Sequence, residues 1–232
     1  MKKERLLYLD YIRAFSTILI VLTHYNALFL YLPQIYEGNA IVLTAYVKNL
    51  YIGDWGVSLF LTISGAALMY TYQDELDVKT FYKKRFLSIF PLYWLTYFLV
   101  MSYLFLKYKT INPNGAEPWK IILSMIGMDA YLGSVTSTWL CIGEWFLGMI
   151  IFIYLLFPVL YFLMKKREGL LWIILVGAFV ISLKIPSLMP SAMRVLVRLP
   201  EFCFGMWFIK YRKLIEKKQI LLLGGGNCNF YF

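Results

Sequence analysis

The chain is 232 residues long, 61% hydrophobic and 19% aromatic, with 16% charged residues, a formal net charge of +10 and a mean hydropathy of +0.66. Soluble domains average about a quarter charged and about half apolar, so a water-soluble core of this size would leave a large apolar patch uncovered. That excludes a soluble enzyme, a disordered tail and a small secreted module, the last also because only three cysteines occur, without repeating spacing. The basic residues gather in short clusters between long apolar runs, the pattern of loops in a multi-spanning membrane protein and not of a nucleic-acid binder.

A run of about 20 apolar residues crosses the hydrocarbon as a helix. The first runs from Leu9 to Leu32. It is too long for a cleaved signal peptide, has no small-residue cleavage pattern and carries Arg13 and His24. Trp55 to Tyr72 is the second candidate and Phe86 to Leu106 the third. Ile121 to Leu132 is too short to span and reads as an interfacial or re-entrant helix. Trp139 to Leu163 is the fourth span, Leu170 to Leu183 the fifth, and Leu199 to Ile209, extended upstream, the sixth. Ile220 to Leu223 reads as the opening of a further helix that Gly224, Gly225 and Gly226 stop. The expected architecture is all-α: a polytopic transmembrane helical bundle of about six spans plus one short re-entrant or interfacial helix. Residues 224–232 are expected to be an irregular, glycine-rich tail of the kind a truncation or frameshift leaves.

Orientation follows from lysine and arginine. Lys2, Lys3 and Arg5 precede the first span, Lys79, Lys83, Lys84 and Arg85 separate the second from the third, Lys165, Lys166 and Arg167 follow the fourth, and Lys210, Arg212, Lys213, Lys217 and Lys218 follow the sixth. The opposite side holds only Lys48, Lys107, Lys109, Lys120, Lys184, Arg194 and Arg198. The excess puts the N-terminus in the cytoplasm and the long segments 33–54 and 107–138 outside.

Ionisable groups at membrane depth are costly and each one poses a functional question. Arg13 and His24 are eleven residues apart on the first helix. At about 100° and 1.5 Å per residue they project from one face, roughly 16 Å apart along the axis. Asp10, three residues before Arg13, can pair with it. His24 is the only histidine in the chain, and its unperturbed imidazole can take and return a proton near neutral pH. Two readings stand for it: a catalytic base, or a helix–helix hydrogen bond. A lone histidine makes no His-rich metal site and the acids show no ligand spacing, so no metal is expected. Lys83, Lys84 and Arg85 are either an ordinary positive flank or a grip for a phosphate-rich cytoplasmic ligand. Glu144 and Asp54, near the outer ends of the fourth and second spans, could orient the histidine, line a site or bridge helices. Arg198 and Glu201 read as a mutual pair, and Ser64-Gly65 as a packing contact.

Several of these residues fall in ordered motifs: Leu9-Asp10-Tyr11-Ile12-Arg13-Ala14 with His24; Leu59 to Gly65, reading LFLTISG; Phe81 to Tyr93, reading FYKKRFLSIFPLY; Thr138-Trp139 with Glu144 and Pro158; and Leu199 to Met206, reading LPEFCFGM. In this order they resemble the integral-membrane acyltransferase 3 family, which O-acetylates bacterial surface polysaccharides and related glycoconjugates. The family's basic motif usually carries another arginine three residues after Arg85, where this chain has Ser88, and its members typically have about ten spans, so that residues 1–223 read as an incomplete acyltransferase 3-like domain.

The resemblance implies a membrane O-acyltransferase in the bacterial plasma membrane, with acyl-CoA, most simply acetyl-CoA, as donor and no tightly bound cofactor. The acceptor is a hydroxyl of a surface polysaccharide or lipid-linked glycan. Arg13, Arg85 and Lys84 would hold the donor's phosphates, His24 would act as base or transient acyl carrier, and Glu144 and Asp54 would position acceptor or base. The alternatives are a proton-coupled transporter or flippase, and an inactive fragment of the family.

Overall fold

The computed structural model describes residues 4–31, 42, 46–47, 50–112, 114–139 and 145–223. The elements in chain order are α1 (Leu7–Tyr31), a two-residue antiparallel pair β1 (Tyr46–Val47) and β2 (Leu50–Tyr51), α2 (Ile52–Thr71), α3 (Val78–Tyr108), α4 (Ile121–Met125), α5 (Asp129–Leu132), α6 (Trp145–Lys166), α7 (Glu168–Lys184) and α8 (Val195–Leu223). The fold is all-α in character. Among the described residues, α2, α3 and α6 are long and apolar enough to cross a membrane.

Three element boundaries differ from those the hydropathy suggests, each for a local reason. Helix α3 starts at Val78, well before Phe86, because Asp77 caps it: its carboxylate accepts the Lys79 N–H at 3.1 Å and the Thr80 hydroxyl. Lys83, Lys84 and Arg85 therefore ride on helix and not in a loop. The apolar 121–132 segment is two short helices, parted at Gly127, whose φ of +74° suits glycine. Helix α8 runs unbroken through the basic stretch to Leu223, with Arg212 and Glu216 paired one turn apart at 3.2 Å. Ile220 to Leu223 are thus its last turn and not the start of another helix. The tail 224–232 lies outside the described residues.

The chain divides into two compact units, Met1–Gln73 with Glu201–Phe232, and Asp74–Pro200. In the first, α1 and α2 run antiparallel: a Cβ at Gly53 would lie 2.9 Å from Thr23 Cγ2, and one at Gly56 3.3 Å from the Ser16 carbonyl oxygen. Helix α8 then crosses α2 so closely that a Cβ on Gly65 would overlap the Phe202 carbonyl, and one on Gly205 the Thr62 carbonyl. Two glycines facing two carbonyls is the small-residue packing that lets helix backbones approach where lipid supplies no hydrophobic drive. Ser64, beside this contact, donates to its own helix at Phe60 O, 2.8 Å away, in keeping with a packing role. The end of this unit that carries the N-terminus is tied together by Tyr70, which donates to Glu4 O at 2.8 Å, and by Arg212, stacked 5.7 Å from the Tyr70 ring.

In the second unit α6 supplies the core. Met149, Ile153, Phe157 and Met164 are sealed from solvent together with Phe81 of α3 and Leu171 of α7, and the Phe81 and Phe157 rings lie 4.8 Å apart. Gly148 lets Tyr131 of α5 settle on α6. The segment 114–139 forms a hydrogen-bonded cap: Asn114 donates to Thr138 O at 3.1 Å, the Trp139 indole to Glu117 O at 3.2 Å, and Trp94 of α3 to Met125 O at 2.8 Å.

Candidate functional site

Helix α1 separates its residues by face. Leu9, Ser16, Leu19 and Asn26 are buried, whereas Arg13, Thr17 and His24 are exposed. The exposed set recurs at helical spacing and forms a polar stripe on a helix otherwise rich in Leu, Ile, Phe and Tyr. Thr17 turns its hydroxyl back onto Arg13 O at 2.9 Å, which takes it out of competition for a ligand.

At the N-terminal end of the stripe Asp10 accepts from Arg5 Nε at 2.7 Å and from Arg13 Nη1 at 3.2 Å. One carboxylate between two guanidinium groups leaves a net positive charge. Arg13 keeps its Nε and Nη2 without a protein acceptor among the described residues, so a fork of donors stays open. At the C-terminal end His24 makes no hydrogen bond with the described residues and stands exposed. Its neighbour Thr23 is pinned by the approach of Gly53, which fixes the start of α2 next to the turn that carries the imidazole. Asp54 follows immediately in the first turn of α2, half-buried, where a carboxylate also complements the helix dipole.

Arg85 and Lys84 belong to the second unit. Arg85 is half-buried, its Cζ 5.7 Å from the Tyr154 ring and 5.9 Å from the Phe81 ring. Two aromatic faces hold the guanidinium in place while its Nε is buried without a hydrogen-bond partner among the described residues. Lys84 is exposed beside it. Ser88, which stands where the resemblance would have an arginine, spends its one donor on Arg85 O at 2.9 Å and so offers none to an anion. Arg13, His24 and Asp54 thus share one unit, and Lys84 and Arg85 another. Glu144 lies outside the described residues.

Three polar contacts escaped the sequence. Asn26, 3% exposed, meets Val42 as a backbone would, donating to its carbonyl and accepting its N–H, both at 3.0 Å. Glu201 accepts from Ser58 of α2 at 2.9 Å. Asp129, 1% exposed, accepts the Tyr97 hydroxyl at 2.9 Å. Only Asp129 had a signal that could have been read, as the lone acid inside an apolar run. The partners of the other two are distant in sequence.

A family profile described as an acyltransferase domain matches residues 6–227. Among characterised proteins the chain is similar to "Acyltransferase MdmB" of Streptomyces mycarofaciens, 25% identical over 178 residues, a stretch covering 74% of this chain and 46% of that protein. The chain therefore spans about half the length of the curated relative it matches. No solved structure matches it.

Proposed function

The chain belongs to the acyltransferase 3 family, and from that premise we propose that it is a multi-pass membrane O-acetyltransferase that moves an acetyl group from cytoplasmic acetyl-CoA to a hydroxyl of a cell-surface polysaccharide or lipid-linked glycan. The observation that carries this reading is the exposed stripe of α1, with a guanidinium fork at Arg13 and an imidazole at His24 that no hydrogen bond from the described residues saturates, on the face turned away from α2's packing.

In this reading the bundle has six spans with a cytoplasmic N-terminus in the plasma membrane, and residues 1–223 form the membrane domain. Arg13, Arg85 and Lys84 hold the phosphates of the donor. The pantetheine arm extends along the stripe for roughly the 16 Å that separate Arg13 from His24, which brings the thioester beside the imidazole. His24 takes the proton of the acceptor hydroxyl as its oxygen attacks the thioester carbonyl. The C–S bond breaks, the new C–O ester forms, and the proton passes to the departing CoA thiolate. Asp54 and Glu144 position acceptor or base.

The test is acetyl transfer in membranes by the His24→Ala and Arg13→Ala variants. Loss of proton transfer at His24 is expected to cost about 10²–10⁴-fold in rate. Arg13→Ala is expected mainly to raise the KM for acetyl-CoA. Arg13 is 47% exposed and its pair with Asp10 is solvent-screened, so its removal leaves the fold nearly as stable as before. The loss then reports on donor binding and not on unfolding. Unchanged rates in both variants would end the assignment. Proton-coupled uptake of solute without consumption of acetyl-CoA would point to a transporter instead.

A further inference from the structure

In the second unit, where the end of α7 meets the start of α8, a cavity of about 330 Å³ opens between Tyr131, Ile181, Ile185, Arg194 and Leu196. Its lining is mostly apolar. The exposed side chains of Ile181, Ile185, Leu188 and Leu196 extend that apolar character onto the surface around it. The single charged group in the wall is Arg194.

Arg194 is built into this wall by carbonyls alone. Its Nε donates to Met189 O at 3.0 Å, and its Nη1 donates to Ser182 O and, at 3.3 Å, to Ile185 O. These bonds fix the plane of the guanidinium without neutralising it, because no carboxylate pairs with it among the described residues. Nη2 is left with no protein acceptor there, so two N–H groups remain for something that is not protein. Tyr131, 6% exposed, closes the same wall. Lys184, between two of the wall residues, adds a second positive charge nearby. A half-buried, rigidly held cation with an open donor pair, set in an apolar cavity, has the chemistry to bind an amphiphile with an anionic head and hydrocarbon tails.

We propose that this cavity is a binding site for an anionic phospholipid, its phosphate on Arg194 Nη2 and an acyl chain along Ile181, Ile185 and Leu196. Charge complementarity selects the head and the apolar mouth selects the tail. The site lies at the end of α7 opposite the basic turn Lys165–Arg167, and it is independent of the acyl-transfer chemistry.

The probe is phosphatidylglycerol presented to the purified full chain in detergent micelles, with retained lipid read by mass spectrometry of the intact complex. Diacylglycerol with the same chains, which lacks the phosphate, and inorganic phosphate, which lacks the chains, are the comparisons. Phosphatidylglycerol is expected to be retained about tenfold or more over diacylglycerol, the worth of a charge-assisted hydrogen bond pair. Arg194→Gln is expected to reduce retention to the diacylglycerol level. Because that change also removes donors from three carbonyls, Leu196→Glu is the second variant: the residue is 43% exposed and holds no hydrogen-bonded position, and a carboxylate there repels the head while leaving the Arg194 cage intact. Equal retention of the two lipids, or wild-type retention in Leu196→Glu, would overturn the proposal. Inorganic phosphate that displaces the lipid at equal concentration would also overturn it, in favour of a free-anion site.

Discussion

Asn26 shows how little of a membrane helix's polar content has to be chemical. Its amide is buried beside the exposed His24 turn and reproduces a β-type bond pair with Val42. Removing one partner of a buried hydrogen bond leaves the other unsatisfied, at about 1–3 kcal/mol. Asn26→Ala and the bulkier Asn26→Leu are therefore both expected to lower the thermal midpoint in detergent by a few degrees, the second no less than the first, since packing volume is not what the site supplies. A wild-type midpoint in both would show that the clamp contributes nothing. The contrast with α1's other polar residues explains what the sequence could reveal. Arg13 and His24 were legible because helical periodicity alone puts them on one face, and the Asp10–Arg13 pair because three-residue spacing brings them together, as it does at 3.2 Å. Asn26 and Ser58–Glu201 were not legible, since each needs a partner whose position only the tertiary fold decides, and of Tyr97–Asp129 only the acid stood out, as the lone one in an apolar run.

Among the elements, the crossing of α2 and α8 is the contact most sensitive to a single methyl group. Gly65→Ala and Gly205→Ala each drive a Cβ into a backbone carbonyl of the facing helix, and backbone cannot rotate aside as a side chain can. Overpacking of this kind costs about 1–3 kcal/mol even where side chains can yield. Gly177→Ala is the built-in comparison, because a Cβ there meets nothing within 4 Å and alanine is the better helix former by about 1 kcal/mol. Thermal unfolding is expected to fall for the first two and to hold or rise for the third; the same sign in all three would mean the close crossing is not formed. The start of α3 adds a pH dependence. The Thr80 hydroxyl, with the Lys79 N–H, holds the Asp77 carboxyl below its ordinary range. A carboxyl depressed in the folded state stabilises the helix above the unfolded carboxylate's pKa, and that contribution disappears as pH falls through the folded value. The helical start at Val78–Thr80 is thus expected to exchange its amide hydrogens faster in acid, and Asp77→Asn to flatten that response. Hydropathy missed this boundary because it registers apolar windows, whereas the helix begins where a cap satisfies its first N–H groups. For the same reason it divided α8 at a basic stretch that helix tolerates well.

For the molecule as a whole, the clustering of cations carries more topological information than any single helix. Among the described residues α2, α3 and α6 are long and apolar enough to cross a membrane, while α8 carries a long basic stretch and α7 has only 17 residues. The proposed alternation therefore rests on the basic clusters Lys79–Arg85, Lys165–Arg167 and Lys210–Lys218, which it would put on the cytoplasmic side. Two single cysteines can decide it. Lys109 sits at the left-handed C-cap of α3 and Lys79 at its first turn, at opposite ends of a helix that spans about 46 Å at 1.5 Å per residue, and both side chains are exposed. With the native cysteines replaced, Lys109→Cys is expected to react with a membrane-impermeant maleimide on intact spheroplasts, and Lys79→Cys only after the membrane is opened. The reverse order would invert the bundle and move the Arg13 end of the α1 stripe away from the compartment that holds acyl-CoA. Equal labelling before opening would mean that α3 does not cross at all. Only the expected order is compatible with the transfer proposed above, which needs Arg13 on the donor's side and His24 roughly three turns toward the acceptor's.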